Sequence, residues 1–186
     1  MSLKEVLDSA LLLGADYISA LPIAFSFACI LEATQQGNYL ENGLFLFWMH
    51  YSNALTYFLK RLPYPKELHP WTFRPEGASN TDVLSRNGIK PYGTPGFPSG
   101  HMTGAALFST YRLLRLWKQQ GGGSVKKFIN KNKDKVALYI GIILATAWAR
   151  WYKNCHNITQ IIGGTIVGII QAVIFFEIYN KIIDKK

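Results

Sequence analysis

Carboxylates are scarce in this sequence. Eleven Asp and Glu stand against 20 Lys and Arg in 186 residues, and between Val83 and Phe176 the one acid is Asp134. That span cannot supply the acidic cluster of a two-metal hydrolase. Cysteine is scarcer still, with Cys29 and Cys155 alone, which excludes a disulfide scaffold and leaves the redox compartment open. No C-x2-C or H-x3-H spacing of a zinc site occurs, so neither metal nor cofactor is expected. Charged residues make up 17% of the chain, below the roughly 25% of an ordinary soluble domain, which argues against a disordered basic tail. No internal repeat is visible, and the length suits one domain, taken as 1–186. Glu5 and Asp8 give the N-terminus a poor signal-peptide layout.

What is abundant is apolar: 49% hydrophobic residues alongside a net charge of +9. The charges leave gaps of membrane length. Ile158 to Phe176 carries none, Val136 to Ala149 none, and Gly43 to Leu59 none; Ala10 to Leu31 carries Asp16, and Thr103 to Trp117 carries Arg112 and Arg115. A bilayer crossing needs roughly 20 mainly apolar residues. These five segments predict an all-α protein, an integral-membrane helical bundle of about five transmembrane helices. Arg112 and Arg115 are expected to snorkel to headgroups, and Trp48, Trp117, Trp148 and Trp151 to sit at interfaces. The competing reading is a soluble all-α protein with buried core helices, which the mean hydropathy of +0.07 favours.

The connections differ. Glu32 to Asn42 reads as a polar turn, and Lys60 to Gly100 as a long loop holding seven of the eight prolines. Gly121 to Ser124 reads as a hinge before Lys126, Lys127, Lys131, Lys133 and Lys135, and Trp151 to Asn157 as a tight turn. Five alternating spans put the Pro-rich loop and the tight turn on one face. The lysine loop and the tail (Lys181, Lys185, Lys186) fall on the other, which the positive-inside rule makes cytoplasmic.

Four histidines are present. His50, inside a span, is expected to be packed or hydrogen-bonded; His69 has no readable partner spacing. His101 ends Phe97-Pro98-Ser99-Gly100-His101 and opens a small-residue helix. Ser99 is placed to cap that helix, Gly100 lets a ligand approach the backbone, and helix N–H groups attract anions. His156 follows Arg150 across the tight turn, and Gln160 lies one helical turn beyond it, so its amide oxygen can accept from an imidazole N–H. Lys66 to Pro75, with Arg74, is by itself a basic Pro-containing loop. Gly164-x3-Gly168 reads as helix-packing surface. The Asn157-Ile158-Thr159 sequon reads as accidental, because a glycan there would cover His156. Cys155 lacks the downstream Arg of a Cys-x5-Arg phosphatase loop.

In this order, the clusters resemble the type 2 phosphatidic acid phosphatase superfamily, whose pattern is K-x6-R-P, then P-S-G-H, then S-R-x5-H-x3-D. Arg74-Pro75 ends the first motif, Pro98-Ser99-Gly100-His101 is the second unchanged, and Arg150 and His156 keep the third motif's spacing. Three departures stand out. Lys66 lies eight residues before Arg74 rather than seven, Ala149 replaces the Ser, and Gln160 replaces the Asp. Glucose-6-phosphatases of the same superfamily also carry Gln there and have two spans ahead of the first motif.

The resemblance implies a metal-independent phosphatase in which His156 attacks phosphorus, His101 protonates the leaving oxygen, and Lys66, Arg74, Arg150 and amides around Ser99 and Gly100 bind the phosphate. The expected substrate is a lipid phosphate, phosphatidate-like or an isoprenyl diphosphate, at a site on the non-cytoplasmic face and in contact with membrane lipids. A neutral imidazole nucleophile must be aimed, a task for Gln160. A carboxylate stabilises the developing imidazolium better than an amide, so Gln160→Asp is expected to speed turnover. Other readings are a glucose-6-phosphatase-like sugar phosphatase, a non-catalytic membrane protein binding phosphate or lipid, and a soluble relative such as an acid phosphatase or vanadate haloperoxidase. A nucleic-acid binder ranks last, since no recognition element is present. Oligomeric state is open.

Overall fold

A backbone flanked only by apolar side chains must satisfy its own N–H and C=O groups, and each charge-poor stretch accordingly becomes helical. The computed structural model describes residues 3–62, 70–78 and 93–183. Seven α-helices follow one another: α1 (Leu3–Ser19), α2 (Leu21–Gln36), α3 (Tyr39–Lys60), α4 (Gly100–Gln119), α5 (Val125–Lys131), α6 (Lys133–Tyr152) and α7 (Ile158–Ile178). A short 3-10 turn covers Pro70–Thr72, and a π turn, Tyr179–Ile183, continues α7. Among the described residues there is no strand, only an isolated bridge between Phe73 and Pro95. The chain is all-α.

The five apolar segments lie in α1–α2, α3, α4, α6 and α7, yet among the described residues only Ile158–Lys181 is by itself long and apolar enough to cross a membrane. The reason lies in what the other helices turn inward. Glu41, Asn42, Ser52 and Thr56 of α3 are buried, as are Arg112 of α4 and Arg150 of α6. Polar groups of the interior lower the hydropathy of helices whose outward faces remain apolar, with Phe47, Tyr51 and Phe58 exposed on α3 and Leu138 and Leu144 on α6.

The first segment is two helices rather than one, bent by 44°. Pro22 has no N–H to offer the carbonyl four residues back, and Ile23 bonds instead to the Ala20 carbonyl at 3.0 Å.

Four further expectations change. Arg112 and Arg115 do not snorkel: Arg112 pairs with Glu32 and donates to Asn42 Oδ1 at 3.1 Å, and Arg115 pairs with Glu41. A helix running through the protein's middle gives these side chains nearer, desolvated partners than a headgroup. His50 is neither packed nor covered, lying on the exposed face of α3. The polar turn shrinks to Gly37 and Asn38, with Gly37 at φ 71° closing α2 by accepting the left-handed conformation. Lys126 to Lys135 lies in two helices, α5 and the start of α6, that break at Asn132, and the hinge is confined to Gly121, Gly122 and Gly123, all at positive φ.

Packing centres on α4, which lies against α7 with no room between them. A methyl group on Gly164 would meet the Ser99 carbonyl oxygen at 2.5 Å, and one on Gly168 the Thr103 carbonyl oxygen at 2.4 Å. Small residues thus let two backbones touch. Further along, Phe25 stacks on Phe108 with centroids 4.3 Å apart and Phe45 on Tyr111 at 4.1 Å, forming an aromatic core with Phe175 and Tyr179. The close α4–α7 seam fixes where the start of each helix lies, and both starts carry a histidine motif.

Candidate active site

Three chain segments meet where α4 and α7 begin. The loop 93–99 leads into α4, the turn 153–157 joins α6 to α7, and Pro70–Ala78 lies across both. Backbone bonds hold them together. Gly96 and Phe97 N–H donate to the Thr72 carbonyl at 2.8 and 3.0 Å, Arg74 N–H to the Thr94 carbonyl at 3.0 Å, and Ser99 N–H to the Gln160 carbonyl at 3.1 Å. Asn154, at φ 51°, donates from its side chain to the Glu76 carbonyl at 2.9 Å, and Asn157 to the Trp71 carbonyl at 3.0 Å. The Asn157 side chain also caps α7 by accepting from Gln160 N–H, which fixes the first turn of that helix.

His156, Arg150 and Gln160 are buried together. His156 Nδ1 lies 2.8 Å from Gln160 Oε1, as the four-residue spacing predicts. The rest of the Gln160 amide resolves its orientation. Nε2 donates to the Trp71 carbonyl at 3.0 Å and the Phe73 carbonyl at 2.6 Å. Both amide hydrogens are thereby committed, Oε1 must accept, and Nδ1 of His156 carries the proton. The imidazole lone pair is therefore on Nε2. Gly96 makes this possible, since a methyl group there would lie 2.5 Å from Gln160 Oε1.

Arg74 reaches the same place from the loop, with Nη1 donating to the Cys155 carbonyl at 3.0 Å. Burial pushes the His156 imidazole well below its ordinary pKa, Arg74 and Arg150 push further, and Lys60 adds to the shift. His101, which precedes the apolar part of α4, is depressed by burial and then by Arg150, Lys60 and Arg74. Two imidazoles that answer to the same three cations share one electropositive volume, in which the neutral form of each is favoured.

Lys60 is the site residue that the sequence reading did not assign. It appeared only as a charge ending a span, whereas the end of α3 delivers it to the start of α4. A methyl group on Gly100 would lie 3.9 Å from its Nζ. Its one sequence signal was position, as the last helical residue before the Pro-rich loop. Lys66, the expected cation, lies outside the described residues, as do His69, Arg86 and Lys90.

Ser99 is at the cap position of α4, but its side chain makes no capping bond. Its Oγ is fully buried and has no hydrogen-bond partner among the described residues. Its N–H is also spent on Gln160, so of the amides expected around Ser99 and Gly100 those of Gly100 and His101 remain, first-turn donors without intrahelical acceptors. Among the described residues, no three His, Cys, Asp or Glu side chains converge in a geometry able to hold a metal ion.

The sequence model of the PAP2 superfamily matches residues 43–184. No curated protein and no solved structure matches this chain.

Proposed function

The chain belongs to the PAP2 superfamily, and from that premise we propose that it is a membrane phosphatase that hydrolyses a lipid phosphate through a phosphohistidine. The observation that carries the mechanism is the Gln160 amide, whose two committed hydrogens leave the His156 lone pair on Nε2. Nε2 attacks phosphorus and the bond from phosphorus to the ester oxygen breaks. His101 gives that oxygen a proton, and Gln160 Oε1 goes on accepting from the N–H already on Nδ1 as the His156 ring becomes cationic. Water then attacks the phosphohistidine, His101 takes up its proton, and phosphate leaves as the P–N bond breaks.

Charge building on the phosphoryl oxygens meets the Arg74 and Arg150 guanidinium groups, Lys60, the Ser99 hydroxyl and the free amides of the first turn of α4. Burial, and then these cations, hold His101 neutral in the free protein. A bound phosphate dianion offsets them, raising the proton affinity of His101 when an acid is needed.

A lipid substrate is supported by the exposed apolar faces of α2, α3, α6 and α7, including Phe27, Ile30, Phe47, Phe58, Leu144, Ile162, Ile166 and Ile170. In this proposal α2, α3, α4, α6 and α7 cross the bilayer. α4 leads away from His101 and α6 leads back to Arg150, so α5 and its lysines lie at the end remote from the site. The positive-inside rule then puts the site on the non-cytoplasmic face.

The test is hydrolysis by purified protein in detergent with a chelator present, comparing phosphatidate, an isoprenyl diphosphate and glucose 6-phosphate. Lipid phosphate turnover that is lost in His156→Ala is expected. Preference for glucose 6-phosphate overturns the substrate class. Turnover that survives His156→Ala overturns the mechanism, and phosphate binding without any hydrolysis favours a non-catalytic protein.

A further inference from the structure

The N-terminal helix lies ahead of the residues matched to the superfamily, 43–184, yet its last turn enters the phosphate site. Ser19 is nearly fully buried. Its Oγ donates to the Ala15 carbonyl at 2.8 Å, which directs the oxygen lone pairs away from α1. Arg150 Nη1 donates to that oxygen at 3.1 Å. A buried guanidinium has five hydrogens to place and a strong preference for one plane; Ser19 holds one of them and so sets the fork's orientation.

The backbone of the same residue makes a second contact. In an unbroken helix the Ser19 carbonyl would accept from Ile23 N–H. Pro22 breaks the ladder, Ile23 turns to Ala20, and the Ser19 carbonyl is left turned towards His101, whose proton affinity it raises. Asp16 then pairs with Lys153 in the turn that carries His156. The last turn of α1 is therefore fastened to the segment that carries Arg150 and His156 at two places.

We infer that Ser19 is a positioning residue of the phosphate site, aligning Arg150 through its hydroxyl, so that the end of α1 is a working part of the site. This rests on the phosphate-site reading above. Phosphate is expected to bind a pre-aligned Arg150, whereas loss of the hydroxyl leaves the guanidinium to find its plane at the moment of binding.

The test uses full-length protein in detergent, with inorganic phosphate as the probe by titration calorimetry and KM and kcat measured beside it. Ser19→Ala removes the acceptor; Ser19→Cys fills the same volume with a weak one; Ser19→Thr keeps the hydroxyl. The first two are expected to weaken phosphate binding and raise KM roughly tenfold, the scale of one hydrogen bond to a buried charge, with Ser19→Thr close to wild type. In an Arg150→Gln background, Ser19→Ala is expected to add nothing. Phosphate affinity unchanged in both Ser19→Ala and Ser19→Cys overturns the inference while leaving the site intact. The same loss persisting without Arg150 overturns it as well, because Ser19 then acts by packing alone. Wild-type protein that neither binds phosphate nor hydrolyses an ester removes the site and this inference together.

Discussion

At the scale of single residues, the proposed mechanism turns on the amide of Gln160. From the sequence, an amide in place of a carboxylate looks like a weaker partner for imidazolium. The structure reverses the expected effect of Gln160→Asp. Gln160 spends its two N–H donors on the Trp71 and Phe73 carbonyls, and a carboxylate there turns both bonds into repulsions between oxygens in a buried site. Asp is also one methylene shorter and withdraws from His156. Gln160→Asp and Gln160→Glu are therefore both expected to lower kcat, by roughly ten- to a hundredfold for a nucleophile misaligned on this scale, measured by steady-state hydrolysis. A gain in either variant contradicts the network.

The same cations predict a difference between two pH profiles. In the free protein burial, and then Arg150, Lys60 and Arg74, hold His101 below its ordinary pKa, so the limb of kcat/KM that falls with rising pH as this acid loses its proton lies below about 6.5. With substrate bound, phosphate charge opposes those cations, and the corresponding limb of kcat is expected at higher pH. Coincident limbs, or the reverse order, count against phosphate sharing the volume with His101.

At the scale of elements, the seam between α4 and α7 links packing to the site. Gly164 faces the Ser99 carbonyl with no space for a methyl group, whereas Gly141 in α6 has nothing within 4 Å. Gly164→Ala is expected to destabilise by about 1–3 kcal/mol through overpacking and to displace Ser99, whose N–H holds Gln160. Gly141→Ala gains helix propensity without a clash and is expected to be neutral or stabilising by up to about 1 kcal/mol. Thermal midpoints in detergent distinguish the two, and activity should fall only in the first. The reading of Gly164-x3-Gly168 as packing surface came from spacing. That its far side is the backbone of the P-S-G-H motif came only from the structure, since spacing names a face and not its neighbour.

At the scale of the whole molecule, two polar systems sit at opposite ends of an aromatic core. One joins Glu41 to Tyr111 Oη at 2.8 Å and to Arg115, beside Arg112 paired with Glu32. The other is the histidine site. Its two imidazoles are neutral in the fold and lie below their unfolded pKa, so the unfolded chain binds more protons in the interval between the folded and unfolded values. Their contribution to stability is complete above about pH 6.5 and is lost as pH falls towards the folded values. Thermal midpoints are expected to drop on acidification through that window. His156→Asn should flatten the drop; an unchanged slope contradicts neutral burial of His156.

The sequence by itself determined the helices, the order of the three motifs, and the pairing of His156 with Gln160, because helical periodicity and a four-residue offset are local properties of the chain. It also determined the concentration of lysines away from the site. Only the tertiary structure decided which side of Arg112 and Arg115 faces inward, that Lys60 joins the site, that Ser99 does not cap, and that the α1–α2 break delivers Ser19 to Arg150. These are contacts between residues distant in sequence, 131 positions apart for Ser19 and Arg150. No local pattern encodes such a distance; it follows from how closely Gly164 and Gly168 let α7 approach α4, and from where the bend at Pro22 sends the chain.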